Sequence, residues 1–307
     1  MTQNPDNSRN ILAVTAVAAP ARTELPAELG DILASAGVGE KQLRILSDGG
    51  AWQACEYVFD VWGDGGVDVV RDALKGLEAD VAVLPAANRR KRLLISDMDS
   101  TIIGQECLDE LADFAGLKAE VSAITERAMR GELDFEGALT TRVAMLKGLE
   151  LSALEAAYRE RITLNPGART LTATMKAHGA HAVLVSGGFT FFTSRVADLS
   201  GFDAHRGNTL VDDGASLTGD VGRPILGREA KLTAMDEASA AHGLTRDDAL
   251  ALGDGANDLD MIRAAGLGIA YRAKPIVAEQ ASAAISHTDL TAALFFQGYT
   301  ASEFVAG

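Results

Sequence analysis

The sequence predicts an α/β protein: a doubly wound parallel sheet carrying a helical insertion, preceded by a small α+β unit. Three observations lead there. Short apolar runs without polar alternation recur between helical stretches, as in parallel strands covered on both faces. Residues 11–85 instead give the order β-α-β-β-α-β. Residues 105–163, all helical in pattern, separate the first two buried strands and exceed what a single crossover helix needs.

Taken in order, residues 1–10 (MTQNPDNSRN) are polar and read as a disordered tail. Residues 11–17 form an apolar strand, too short to cross a membrane and almost without a basic lead-in. Residues 25–36 have helical spacing, and Gly37 stops them. Residues 42–46 and 52–59 are strands joined around a Ser-Asp-Gly-Gly hairpin signal. Residues 67–77 are helical and 81–84 are a short strand. That succession is the split pattern of ferredoxin-like modules, which makes residues 11–85 one domain. Residues 86–92, ending in Arg-Arg-Lys-Arg, read as a solvated linker. A second domain then spans residues 93–303, with buried strands at 93–96, 181–185, 249–252 and 267–270. A smaller insert at 207–221 reads as a β-hairpin turning at Asp213-Gly214.

The charge balance narrows the partners. Acidic residues number 43 against 28 basic ones, for a net charge of −15. Such a surface repels nucleic acid and anionic membranes, so an anionic substrate needs a local positive group. Cys55 and Cys107 are too few for a disulfide framework and sit in no zinc-type cluster. The expectation is a soluble cytoplasmic protein that takes a small molecule and binds neither nucleic acid nor membrane.

Chemistry concentrates where strands end, which is where open parallel sheets bind ligands. The first strand runs into Asp97-x-Asp99-x-Thr101. Two carboxylates so close repel, and a hard divalent cation removes the conflict; a strand-end turn with an Asp helix cap is the plainer alternative. The second strand ends at Ser186-Gly187-Gly188, where glycines opening a turn permit close backbone approach to a phosphate. A ligand-free turn fits that segment equally well. The third ends at Gly253-Asp254-Gly255-Ala256-Asn257-Asp258, too acidic for a dinucleotide loop and better suited to a cation. Lys231 lies on a helical run and by itself reads as a solvated charge.

Together, in this order, Asp-x-Asp-x-Thr, Ser-Gly-Gly, Lys and Gly-Asp-Gly-x-Asn-Asp resemble the motifs of the haloacid dehalogenase-type phosphatases. The segments DMDSTIIGQECLDELA, ITERAMRGELDFEGAL, RVAMLKGL, LNPGA, VSGGFTFF, LGDGANDLDMI and HTDLTAALFFQGY are similar to those of the phosphoserine phosphatases in that superfamily, over residues 92–303. The resemblance implies that Asp97 attacks phosphorus to give a phosphoaspartate and that Asp99 serves as acid, then base. It implies Mg²⁺ held by the Asp97 carboxylate, the Asp99 backbone carbonyl and Asp254. Ser186, the Gly187 N–H and Lys231 would take the phosphoryl group, and Asn257 would contact the substrate. Thr101 would help position the first loop, and Asp258 would orient Lys231 or metal-bound water. The insert would be a cap, with Glu106 reading the substrate ammonium, Arg142 its carboxylate, and Met129 and Phe135 forming apolar walls.

The implied reaction is hydrolysis of O-phospho-L-serine to L-serine and phosphate, the last step of serine biosynthesis. Its rivals are another small phosphomonoester such as phosphohomoserine, or a non-catalytic amino-acid sensor. The front module resembles the amino-acid-binding ACT domains in topology. Its first loop, AAPARTELPAEL, lacks the glycine such effector sites use. A packing or dimerisation role, serving a homodimer, fits it as well.

Overall fold

The computed structural model describes residues 9–129 and 132–307, leaving aside the side chains of residues 9, 62–65, 126, 128 and 129. The front module runs β1 (Arg9–Ala18), α1 (Leu25–Ser35), β2 (Lys41–Gly49), β3 (Trp52–Trp62), α2 (Gly63–Ala73) and β4 (Asp80–Pro85). Its strands lie in the order β2-β3-β1-β4, all antiparallel, the ferredoxin-like arrangement. The second helix begins at Gly63, ahead of the expected 67, because β3 runs straight into it. The glycines there fall in the first helical turn, where backbone N–H groups have no intrahelical partner to lose.

β1 explains its own unbroken apolar sequence. Leu12, Val14 and Ala16 pack on Leu25, Leu29 and Leu33 of α1. The opposite face, with Val17, Ala82 and Leu84, joins the main core of the molecule.

The larger part of the chain supplies β5 (Leu93–Ser96), α3 (Cys107–Phe114), α4 (Lys118–Met129), α5 (Phe135–Met145), α6 (Leu151–Arg161), α7 (Ala168–Ala177) and β6 (His181–Phe189). Then come α8 (Thr190–Ser200), β7 (Ala204–Asn208), β8 (Leu210–Asp212), β9 (Leu217–Val221), α9 (Arg228–Ala241), β10 (Ala249–Gly253) and α10 (Leu259–Ala264). β11 (Leu267–Tyr271), α11 (Pro275–Ala278), β12 (Ala283–Ile285) and α12 (Ala292–Phe296) complete it. The strand order is β12-β11-β10-β5-β6-β7 with every pair parallel. Helices cover both faces. Ala234 and Met235 of α9 pack with Leu93, Ile95 and Val183 on one side, while Leu171, Met175 and Phe192 pack with Leu94 and Leu184 on the other.

The two sheets are one. β4 pairs antiparallel with β12 through Ala82 and Ala283, giving ten continuous strands. Asp80, at the head of β4, accepts the amide hydrogens of Ser286, His287 and Thr288 at 2.6, 2.9 and 2.8 Å, and the Thr288 hydroxyl at 2.5 Å. Trp52 packs edge-on against Phe295 and Phe304. Residues 86–92 are exposed at 87, 88, 90 and 92, yet they are also tied to both parts of the chain. Arg89 bonds Glu56, which is fully buried and also takes Arg44 at 2.8 Å. Arg90 lies over the Tyr299 ring at 4.0 Å, buried Lys91 donates to two backbone carbonyls, and Arg92 pairs with Asp248. Because the sheets abut, the basic run finds partners in both parts of the chain, while Arg90 and Arg92 stay open to solvent.

α3–α6 form the insert, a helical cap. Its two connections are zipped together. Ile103 bridges Leu164, Gly104 donates to the Thr163 carbonyl, and Gln105 exchanges two hydrogen bonds with Thr163. The β8–β9 hairpin starts later than expected, since residues 207 and 208 belong to edge strand β7. It docks on the cap through backbone bonds between Leu217 and residues 148 and 149, and between Ala215 and Leu151. No helix among the described residues is long and apolar enough to cross a membrane.

Candidate active site

Three neighbouring strands, β10, β5 and β6, deliver their carboxyl ends to one place. The loop after β5 is pinned by the Asp97 N–H on the Leu252 carbonyl and by the amides of residues 101–103 converging on the Met98 carbonyl. Ser100 takes φ of +54° there, a conformation few residues other than glycine adopt. Thr101 donates its hydroxyl to Asp254 at 3.0 Å and so ties this loop to the end of β10.

Lys231 of α9 is no surface charge. It is 3% exposed, with Nζ 2.8 Å from Asp97 Oδ1 and 2.5 Å from Asp258 Oδ1. Burial works against its charge, but Asp258 and Asp97 outweigh that and hold the ammonium above its usual pKa. One lysine does not neutralise this site. Asp97, Asp254 and Asp258 offer oxygen atoms within 4.8 Å of one another. Burial and then Asp258 push Asp97 well above the ordinary carboxylate range, and the same two causes raise Asp254 to about 6. A cluster of hard oxygens with surplus negative charge fits a divalent cation. Asp99 points elsewhere. Its carboxylate accepts the Cys107 amide at 3.0 Å and the Ser186 hydroxyl at 3.1 Å, and burial raises its pKa.

The Ser-Gly-Gly segment is not the turn the sequence suggested: β6 stays extended through Phe189. Its glycines serve space rather than a bend. A Cβ on Gly188 would sit 2.8 Å from Asp99 Oδ2, and one on Gly187 would sit 3.0 Å from the Phe135 ring of the cap. Gly253 is equally constrained, since its Cβ would fall 2.4 Å from Asp258 Cγ. Asn257 folds back over Gly255 at the edge of the acidic cluster.

In the cap, Glu106 accepts the Ser100 hydroxyl at 2.7 Å. Glu106 is exposed at its surface, and partial loss of solvent around its carboxylate, with Asp99 beside it, pushes its pKa up to about 8. Arg142 of α5 is half-buried, within electrostatic reach of Asp109, Glu106 and Asp99. The fold thus gathers Asp97, Asp99, Thr101, Ser186, Lys231, Asp254 and Asp258 around one floor, with Glu106, Arg142 and Phe135 above. The side chain of Met129 lies outside the described residues.

Sequence reading passed over three contributors. Asn165 donates to the Thr101 and Ile103 carbonyls at 2.8 and 3.0 Å, bracing the loop after β5; its segment LNPGA entered the sequence reading only as part of the resemblance. Ser100 and Cys107 act on Glu106 and Asp99 through contacts that no spacing announces.

A parallel sheet whose strand ends hold buried carboxylates and one lysine, under a helical lid, defines a phosphoryl-transfer hydrolase class. The family profile of haloacid dehalogenase-like hydrolases matches residues 94–263. The phosphoserine phosphatase of Polaromonas sp. is 47% identical over 220 residues, 70% of this chain and 93% of that protein. The phosphoserine phosphatase of Streptomyces coelicolor is 43% identical over 232 residues, 75% of this chain but 56% of that longer one. A crystal structure of a HAD family hydrolase from Salmonella enterica covers 93% of this chain and 98% of its own, with a TM-score of 0.81 at 27% identity. The chain belongs to the haloacid dehalogenase-like hydrolases, on their phosphoserine phosphatase branch.

Proposed function

We propose that this enzyme hydrolyses O-phospho-L-serine to L-serine and phosphate, with Mg²⁺, as the closing step of serine biosynthesis. The observation that carries the reading is the buried Lys231 set between Asp97 and Asp258 at the floor of a cleft whose roof offers Glu106 and Arg142.

Asp97 is the nucleophile. Its oxygen bonds to phosphorus as the bond from phosphorus to the serine oxygen breaks, and Asp99 gives that oxygen its proton. Burial favours the protonated Asp99 needed for this step. Water then attacks the phosphoaspartate, Asp99 takes the proton back, and the bond to Asp97 breaks. Lys231 faces the phosphoryl charge, with Asp258 holding it in place. Ser186 and the Gly187 N–H bind phosphoryl oxygens, and Thr101 holds Asp254. Asp97 and Asp254 carboxylates with the Asp99 carbonyl would hold Mg²⁺, and Asp258 lies close enough to support the set. When bound, the ion offsets the surplus charge and lets an anionic carboxylate meet an anionic phosphate.

Glu106 takes the substrate ammonium, Arg142 its carboxylate through the planar fork, and Asn257 its near edge. Residues 11–85 act as a packing domain and 93–303 as the phosphatase domain, in a cytoplasmic protein. The test is phosphate release from a panel of phosphomonoesters. Phosphoserine should lead, and EDTA should abolish turnover. Equal rates on phosphohomoserine or sugar phosphates would refute the substrate, and EDTA-resistant turnover would refute the metal.

A further inference from the structure

Arg142 is held by the cap before any substrate arrives. Its Nε donates to the Ala138 carbonyl one turn back on α5, at 3.2 Å. Its Nη1 donates across to Thr125 Oγ1 on α4, at 3.0 Å. The threonine is itself fixed, because its hydroxyl proton goes to the Val121 carbonyl at 3.1 Å. Its lone pairs are thereby turned outward to the guanidinium. α3 contributes as well. Asp109 is the carboxylate that acts most strongly on Arg142, and Ser122 of α4 bonds Asp109 at 3.4 Å. Three cap helices thus converge on one cation.

We propose that Thr125 is the positioning residue that aims Arg142, and through it sets the enzyme's preference for a substrate with a carboxylate. The inference rests on the role given to Arg142 above. A guanidinium has five N–H donors in a rigid plane. Fixing Nε and one hydrogen of Nη1 fixes that plane. Among the described residues Nη2 has no partner, so its donors stay available for a carboxylate at the far end of the fixed plane. An arginine free to swing would lose rotamer entropy on each binding event, and Thr125 removes much of that cost in advance. Asp109 balances the charge without occupying the fork, which lets a half-buried cation wait for an anion.

The experiment compares O-phospho-L-serine with O-phosphoethanolamine, which keeps the ammonium and phosphate but lacks the carboxylate. Thr125→Val keeps the shape and removes the acceptor. It should raise KM for phosphoserine about fivefold to tenfold with kcat within about twofold, and leave KM for phosphoethanolamine unchanged. Thr125→Ser keeps the hydroxyl and should behave as wild type. A Thr125→Val loss of equal size on both esters would make the residue merely structural and overturn the proposal. So would an unchanged phosphoserine KM, or a serine variant as impaired as the valine one. If the wild-type enzyme shows no KM advantage for phosphoserine over phosphoethanolamine, the carboxylate role of Arg142 falls first and this inference falls with it.

Discussion

Asp254→Asn should make the metal-free protein more stable while destroying its function. Asp254 shares its site with Asp97 and Asp258, and its pKa in the folded chain is about 6 against an ordinary 3.8. A carboxyl group whose folded pKa is raised binds its proton more tightly in the native state than in the unfolded one. Its ionisation therefore costs stability, and the cost grows as pH rises from about 4 to about 6, then levels off. At 1.36 kcal/mol for each tenfold change, the full cost is about 3 kcal/mol, or about 2 kcal/mol allowing for the solvent that reaches a half-buried group. Asparagine carries no charge and still accepts the Thr101 hydroxyl. Urea unfolding in EDTA, followed by tryptophan fluorescence, should show the variant about 2–3 kcal/mol ahead of wild type at pH 7.5 and level with it near pH 4. Mg²⁺ should raise wild type and leave the variant unmoved. A variant no more stable than wild type at pH 7.5, or a gain that does not vary with pH, would refute this account of the cluster.

Other outcomes follow from single contacts. Asp97→Asn should abolish phosphate release with an unchanged circular dichroism spectrum, and near-normal turnover would remove Asp97 as nucleophile. Gly253→Ala places a methyl 2.4 Å from Asp258 Cγ, so Asp258 must leave Lys231; kcat should fall at least about 100-fold, read in a steady-state assay. Asp80→Ala strips a carboxylate from three backbone amides and a hydroxyl at the seam between the two sheets. It should cost about 3 kcal/mol or more, seen as a lower urea midpoint, with KM retained in the folded enzyme.

Much of the site was legible from strand ends alone, because a parallel sheet presents its carboxyl termini on one side and polar residues there have few other uses. Asp97, Ser186 and Asp254 could be placed on one site in this way. The pairing of Lys231 with Asp258 could not be, and came only from the resemblance. Lys231 looked like any helix lysine, because a side chain's burial depends on what the rest of the chain lays over it. The Ser-Gly-Gly glycines were read as turn formers, since sequence shows that a residue lacks a side chain but not whether freedom or room is the reason. The run Arg89–Arg92 has the exposed arginines its sequence suggested at 90 and 92, but its partners Glu56, Glu303 and Asp248 could not be named, because they lie far away in the chain.

What the sequence by itself determined is the order of elements and the residue types at strand ends, both set by local pattern: unbroken apolar runs, helical spacing, and polar residues where a run stops. What only the tertiary structure decided is the joining of β4 to β12, the docking of the hairpin on the cap, and the setting of Lys231 between two aspartates. These are contacts between residues far apart in the chain, and their energies depend on burial and distance, which no stretch of sequence contains.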